Sequence, residues 1–313
     1  MKRFALVGAA GYIAPRHMGA IRDIGGELAA AMDINDSAGI LDSYFPEARY
    51  FTEFEQFDAY MDAEMRAGRP IGYSAIASPN YLHAAHIRQA LRSGADAICE
   101  KPLVLDPREI DELADMERAT GRQVSTILQL RLHPAIIALR EQVAAGKPDT
   151  KADIDLTYIT SRGHWYLQSW KGDERKSGGL ATNIGVHFYD MLHFVYGPLQ
   201  DSIVHLSTPT RAAGFLEYAR ARVRWFLSIN ADDLPPAEKA SGKRTFRAIT
   251  ANNENIEFSD GFTDLHTRSY EAILAGRGFG LEESRAAIET VARIRNAPLA
   301  THGDRHPLVA AVS

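Results

Sequence analysis

The chain has 313 residues, 45% of them apolar and 24% charged, which excludes a disordered protein and supplies core material for about two domains. Its 35 Lys and Arg against 40 Asp and Glu leave a net charge of −5, the wrong sign for a surface that neutralises nucleic-acid phosphates. A single cysteine, Cys99, excludes an intrachain disulfide and any multi-cysteine metal site, and suits a reducing compartment.

The start, Met1-Lys2-Arg3 followed by four apolar residues, has the order of charge and apolarity of a signal peptide. Gly8 and Gly11 break the run at once, so it reads as a buried first strand entering a turn, and the protein is expected in the cytoplasm. No apolar run nears the roughly 18 residues of a bilayer span, so no membrane partner is expected. Unbroken apolar runs at 4–7, 28–32, 71–77, 95–99 and 123–128 predict strands of a parallel sheet covered on both faces. Between them, Asn80 is placed to cap a helix to about residue 93, and Asp106 with Pro107 opens another that ends at Gly121. Strand, helix and strand repeated this way predict a doubly wound sheet with right-handed crossovers.

The pattern changes after a predicted helix at 134–145 and the polar stretch 146–150. Ile154, Leu156 and Tyr158 share one face, and Val223, Trp225, Leu227 and Ile229 alternate with Arg222, Arg224 and Ser228, as in an antiparallel sheet with one wet face. Residues 246–250 and 255–258 can pair across 251–254, and helices are expected at 265–275 and 282–294. The fold class is α/β: a Rossmann-type, doubly wound parallel sheet over residues 1–128, then an α+β domain with an open, largely antiparallel sheet over 129–313.

Three segments carry chemistry. Gly8-Ala9-Ala10-Gly11-Tyr12-Ile13-Ala14 follows the first strand and opens a helix, so glycines there let a pyrophosphate approach the helix N-terminus. The spacing departs from the regular G-x-G-x-x-G, and a plain tight turn is the alternative. Asp33 ends the second strand, where an acid meets adenosine ribose hydroxyls, and no Arg or Lys among residues 34–37 can neutralise a 2′-phosphate, so NAD is favoured over NADP. Glu100-Lys101-Pro102 closes a parallel strand at the edge where ligands of open α/β sheets gather. A lysine there can accept a proton or stabilise an alkoxide, or simply pair with Glu100. The third segment runs from Gly178-Gly179 through Asn183 and Gly185 to His187 and Asp190. If it is helical, Asn183 and His187 share a face at i and i+4, and His187 can take a hydroxyl proton or be merely structural. His164, His193 and His205 read as structural.

Together, the glycine loop, Ser78-Pro79-Asn80 with His83, Glu100-Lys101-Pro102 and Gly178-Gly179…Asn183…His187 resemble the glucose–fructose oxidoreductase and inositol dehydrogenase family over essentially the whole chain. Gly8 to His17, Gln129 to Pro134, Ser169-Trp170-Lys171-Gly172 and Gly276 to Gly280 resemble its group of bacterial UDP-N-acetylglucosaminuronate 3-dehydrogenases of surface-polysaccharide pathways. The resemblance implies Lys101 and His187 as catalytic residues, with the choice of base between them open. The family's aspartate four residues before the histidine is here Asn183; an amide cannot relay a proton, so Asn183 is expected to bind the sugar. The cofactor residues implied are Gly8, Ala10, Gly11, Tyr12, Ile13, Asp33, Ser78, Asn80, His83, Glu100, Lys101 and Gln129, with no metal and with a cis peptide before Pro102.

A UDP-sugar carboxylate must be bound by local cations of an acidic protein, for which Arg16, His17, Arg131, His133, Arg162, Lys171 and Lys176 are candidates. Trp165, Tyr166 and Trp170 can stack on sugar or uracil. Lys101 and His187 lie in different predicted domains, so the expectation is a cleft that unites them. The resemblance further implies a homotetramer and, as in some relatives, 2-oxoglutarate as hydride acceptor. Other readings are a dehydrogenase of another sugar or inositol, an NAD-dependent glycosidase, and a non-enzymatic NAD-sensing regulator.

Overall fold

The structure, a computed structural model, describes residues 1–147, 150–251, 254–255 and 264–312. They form two compact units, each with its own sheet.

The first unit contains β1 (Arg3–Val7), α1 (Ala14–Asp23), β2 (Glu27–Met32), β3 (Arg49–Phe51), α2 (Phe54–Arg66), β4 (Tyr73–Ile76), α3 (His83–Arg92), β5 (Asp96–Cys99), α4 (Arg108–Thr120) and β6 (Val124–Thr126). All neighbouring strands are parallel, in the order β3-β2-β1-β4-β5-β6. The order reverses between β1 and β4, and ligands bind at the carboxyl edge of such a reversal. The five predicted strands are present: β1 and β2 begin one residue earlier than expected, and β4, β5 and β6 are shorter. The short edge strand β3 escaped prediction because it has three residues and its Arg49 is exposed, so it shows no apolar run. Asn80 does not cap α3 as expected. It is buried at the start of a short 3₁₀ turn (Asn80–Leu82), and the helix proper begins at His83 without a side-chain cap.

The described part of Thr263–Arg285 belongs to this first unit rather than to the second, where a single break at 128 would have put it. Its helix Leu265–Leu274 packs on α1, with Tyr270 fully buried among Phe4, Met18 and Ile21. Phe279 then forms a bridge with Thr126 of β6. Nothing local in that segment distinguishes a helix that returns to the first core from one that stays in the second.

The second unit contains α5 (Pro134–Ala145), β7 (Ala152–Thr160), the helix Val186–Tyr196, β8 (Leu199–Ser207), β9 (Arg211–Tyr218), β10 (Ala221–Ser228), β11 (Thr245–Ala251) and β12 (Glu254–Asn255). Its sheet has the order β12-β11-β7-β10-β9-β8, with only β7 and β10 parallel. The predicted hairpin pairs Thr250 with Asn255; residues 256–258 of that expectation lie outside the described residues. On one face Trp225 packs edge-on against Tyr189 of the helix Val186–Tyr196, with ring centroids 5.6 Å apart. The other face is not simply wet, as alternation suggested. Arg222 is exposed and Arg224 pairs with Asp155 at 2.6 Å, but Phe226 is buried with Ile159, Ala213, Leu234 and Val309. The C-terminal segment supplies that cover: His306 stacks on Phe226 and bonds Thr157 at 3.0 Å, and the carbonyl of His302 accepts from His205.

Candidate active site

In the first unit the glycine turn is built by close approach. Gly8 adopts φ +89°, and a Cβ on it would lie 2.6 Å from the backbone of Ala77 and Ser78 at the end of β4. Only glycine fits both the dihedral and the contact. The turn continues through a Gly11 N–H to Gly8 carbonyl bond of 3.0 Å into α1, whose N-cap is Ile13, while Tyr12 and Arg16 stay exposed. Asp33 sits just past β2, and its carboxylate accepts from the N–H groups of Ala10 and Asn35, both at 3.0 Å. A bare, glycine-lined helix start with an acid on the adjacent strand fits a dinucleotide's pyrophosphate and ribose.

The loops after β4 and β5 are tied together from below. His83 is fully buried, with Nδ1 2.7 Å from the Pro102 carbonyl and Nε2 2.8 Å from the Ser78 carbonyl, and Ser78 Oγ bonds His86 at 2.8 Å. Burial pushes the His83 pKa down, so a neutral ring donates to one of the two carbonyls. His83 is therefore a strut under the loops. Lys101 follows β5, half-buried, and its peptide to Pro102 is cis. Gln129, half-buried, opens the turn that follows β6.

His17, read among the substrate cations, lies instead on the buried face of α1 with Ala14, Met18 and Ile21. Its Nε2 is 3.1 Å from Glu100 Oε1 and its Nδ1 is 2.8 Å from the Tyr270 hydroxyl. His266 Nε2 reaches the same Glu100 oxygen at 2.9 Å. Burial alone would raise the Glu100 pKa, but hydrogen bonds from His17 and His266 outweigh it and hold the carboxyl well below its usual range. Burial lowers the pKa of His17. Arg131 likewise has an internal duty, donating to the Glu283 carbonyl at 2.7 Å over the Phe279 ring, and His133 caps α5 by accepting from the Ala135 N–H. Sequence reasoning missed His266 and Tyr270. Their only signal is membership, with Leu265 and Ser269, of one buried helical face.

In the second unit Asn183 lies in a π-helical turn, Ala181–Gly185, that runs into the helix carrying His187, so the expected α-helical i, i+4 alignment is not kept. The turn packs hard on β10: a Cβ at Gly185 would lie 2.7 Å from Leu227 Cδ1 and 2.9 Å from Tyr189. Asn183 Nδ2 donates to the Tyr166 hydroxyl at 2.5 Å, and burial raises the Tyr166 pKa, so that phenol stays protonated. The His187 ring stands edge-on to Phe188 with centroids 4.4 Å apart and faces Tyr158 at 6.2 Å. Around Tyr166, Trp165 is exposed with its ring 5.8 Å away, Lys171 Nζ sits 3.8 Å over the Trp170 ring, and Arg162, His164 and Lys176 are exposed.

A parallel sheet with strand order 3-2-1-4-5-6, a glycine turn at its reversal and an acid after its second strand defines a dinucleotide-binding domain. Residues 2–128 match the oxidoreductase family with an NAD-binding Rossmann fold, and residues 140–234 match the C-terminal alpha/beta domain of the same family. A solved Thermus thermophilus WlbA (WbpB) dehydrogenase, in complex with NAD and α-ketoglutarate, is 52% identical, covering 98% of this chain and 100% of that one with a TM-score of 0.95. A second T. thermophilus WlbA structure, with NAD and UDP-GlcNAcA, is 51% identical with the same coverage and TM-score 0.95. A 1,5-anhydro-D-fructose reductase of Ensifer adhaerens is 28% identical over 200 residues, 62% of this chain and 56% of that protein. The chain spans 36% and 56% of the length of two curated relatives it matches. The chain belongs to the glucose–fructose oxidoreductase/inositol dehydrogenase (Gfo/Idh/MocA) family, whose first domain is an NAD-binding Rossmann fold.

Proposed function

We propose that the protein oxidises the C3 hydroxyl of UDP-N-acetylglucosaminuronic acid to the 3-keto sugar nucleotide. The observation that carries this reading is the 51% identity, over 98% of the chain, to a dehydrogenase solved with NAD and UDP-GlcNAcA. Bound NAD supplies the hydride acceptor. The Gly8–Gly11 turn and the α1 N-terminus hold its pyrophosphate, and Asp33 holds the adenosine ribose and repels a 2′-phosphate. Lys101 or His187 accepts the C3 hydroxyl proton as the carbonyl forms, and the ammonium or imidazolium left behind stabilises the oxygen. Asn183, donating to Tyr166, orients that phenol toward sugar binding. The exposed Arg16, Arg162 and Lys176 are the cations best placed by exposure to meet a charged substrate.

The neighbour solved with α-ketoglutarate supports 2-oxoglutarate as terminal hydride acceptor. Cytoplasmic placement follows from the substrate and cofactor pools such an enzyme draws on, and the product fits the making of a surface-polysaccharide sugar. Assembly as a homotetramer belongs to the same reading, as the family resemblance implies. No helix among the described residues is long and apolar enough to cross a membrane. The test is to supply UDP-N-acetylglucosaminuronate and NAD, with and without 2-oxoglutarate, and to follow the 3-keto product by mass spectrometry. Turnover of other sugars or inositol but not of this one refutes the substrate. Light scattering that gives a 34.5 kDa particle refutes the assembly.

A further inference from the structure

The strand end that presents Lys101 is held by a buried chain of side chains with no part in the proton transfer above. Glu100 Oε1 meets His17 Nε2 at 3.1 Å and His266 Nε2 at 2.9 Å, while His17 Nδ1 meets the Tyr270 hydroxyl at 2.8 Å. Glu100 Oε2 accepts the backbone N–H of Lys101 at 3.3 Å. All four side chains are buried. Chemistry sets the direction of each bond. A carboxylate only accepts, so both Nε2 atoms carry protons; neutral His17 then offers a bare Nδ1, to which Tyr270 donates.

Two histidines and a glutamate are also metal-ligand types. Here, however, both nitrogens lie at hydrogen-bond length from a single oxygen, 3.1 and 2.9 Å, and the far nitrogen of His17 is engaged by Tyr270, the pattern of two N–H donors on one acceptor. The oxygen left over is the one that reaches Lys101. We propose that Glu100, clamped by His17, His266 and Tyr270, is a positioning residue that sets the backbone from which Lys101 reaches its substrate. This rests on the reading that Lys101 serves the reaction.

The test uses the full chain with Glu100→Gln, Tyr270→Phe and, alongside them, Lys101→Ala. Glutamine keeps the shape but brings an NH₂ that cannot accept. A second-sphere loss of this kind lowers activity about 10–100-fold. Glu100→Gln is therefore expected to lower kcat by that factor, with KM for UDP-N-acetylglucosaminuronate and Kd for NAD moving less than about threefold. Tyr270→Phe, which removes one hydroxyl, should lower kcat about 3–10-fold. In ¹⁵N-histidine-labelled protein, two protected imidazole N–H signals downfield of the amides should move upfield or vanish in Glu100→Gln, because a neutral acceptor replaces the carboxylate. The proposal is overturned by a folded Glu100→Gln enzyme with kcat within twofold of wild type. It is equally overturned by a Glu100→Gln enzyme that loses NAD affinity tenfold at unchanged kcat, the behaviour of a cofactor ligand, or by one metal per chain retained on purification. If Glu100→Gln does not fold, Tyr270→Phe decides, and unchanged kcat with intact N–H signals overturns the clamp. A fully active Lys101→Ala enzyme sinks the Lys101 reading itself, a separate failure visible in its own arm.

Discussion

Replacing Gly8 by alanine tests the construction of the cofactor turn. The new Cβ would lie 2.6 Å from Ala77 C, Ala77 O and Ser78 N, all backbone atoms of the β4 end, at φ +89°. A left-handed dihedral on a non-glycine residue costs about 1–2 kcal/mol. Forcing a methyl into packed surroundings costs about 1–3 kcal/mol more. The sum, about 2–5 kcal/mol, is a large share of the about 5–15 kcal/mol that holds a typical native state. For a unit of this size each kcal/mol moves Tm by about 2–4 °C, so a fall of about 4–20 °C is expected by circular dichroism. Because the strain sits where β1, β4 and α1 meet, relaxing it displaces the amides that, on the proposed reading, would face the pyrophosphate. Calorimetric titration should therefore show NAD binding weakened at least tenfold. A variant that melts within 1 °C of wild type and binds NAD equally well would show that the turn is not built by this contact, and the site argument would fall with it.

Asp33→Ala should weaken NAD binding by about 1–3 kcal/mol, the cost of a charge-assisted hydrogen bond, and narrow the preference over NADP; equal wild-type affinity for both cofactors counts against the assignment. Lys101→Ala and His187→Ala should each lower kcat about 10²–10⁴-fold with NAD affinity nearly unchanged, and their effects should not add, which steady-state kinetics of the double variant checks. Asn183→Ala removes the bond to Tyr166, so initial-rate kinetics should show a raised KM with a smaller change in kcat. Burial lowers the His306 pKa to about 4, against about 6.5 for an unfolded histidine, so the unfolded chain binds more protons between those values. Its contribution is whole above pH 6.5 and is lost as pH falls toward 4. His306→Phe, which keeps the stack on Phe226, should make urea-derived stability less acid-sensitive by about 3 kcal/mol in that window, and an unchanged pH slope would sink the reasoning.

Local pattern alone determined a good deal of this protein. The unbroken apolar strands required a sheet buried on both faces, the Gly8–Gly11 turn and Asp33 pointed to a dinucleotide edge, and the change to alternation after 150 marked a different sheet. Those signals are legible because burial and backbone geometry act within a few residues. The tertiary structure alone decided which segments share a core. Leu265–Leu274 could have packed on either sheet, and the fit of Tyr270 among Phe4, Met18 and Ile21, with the bonds of His266 and Tyr270 to Glu100 and His17, holds it on the first. That return also brings His266 to the Glu100 oxygen that His17 already meets, a pairing across 166 residues that no spacing rule contains. The C-terminal segment, in the same way, dries the face of β10 that alternation marked as wet, by placing His306 and Val309 on Phe226. A side chain's periodicity reports that it is buried, whereas its partner is set by shape and by the need to satisfy every buried polar atom, and both conditions are met only once the whole chain has closed.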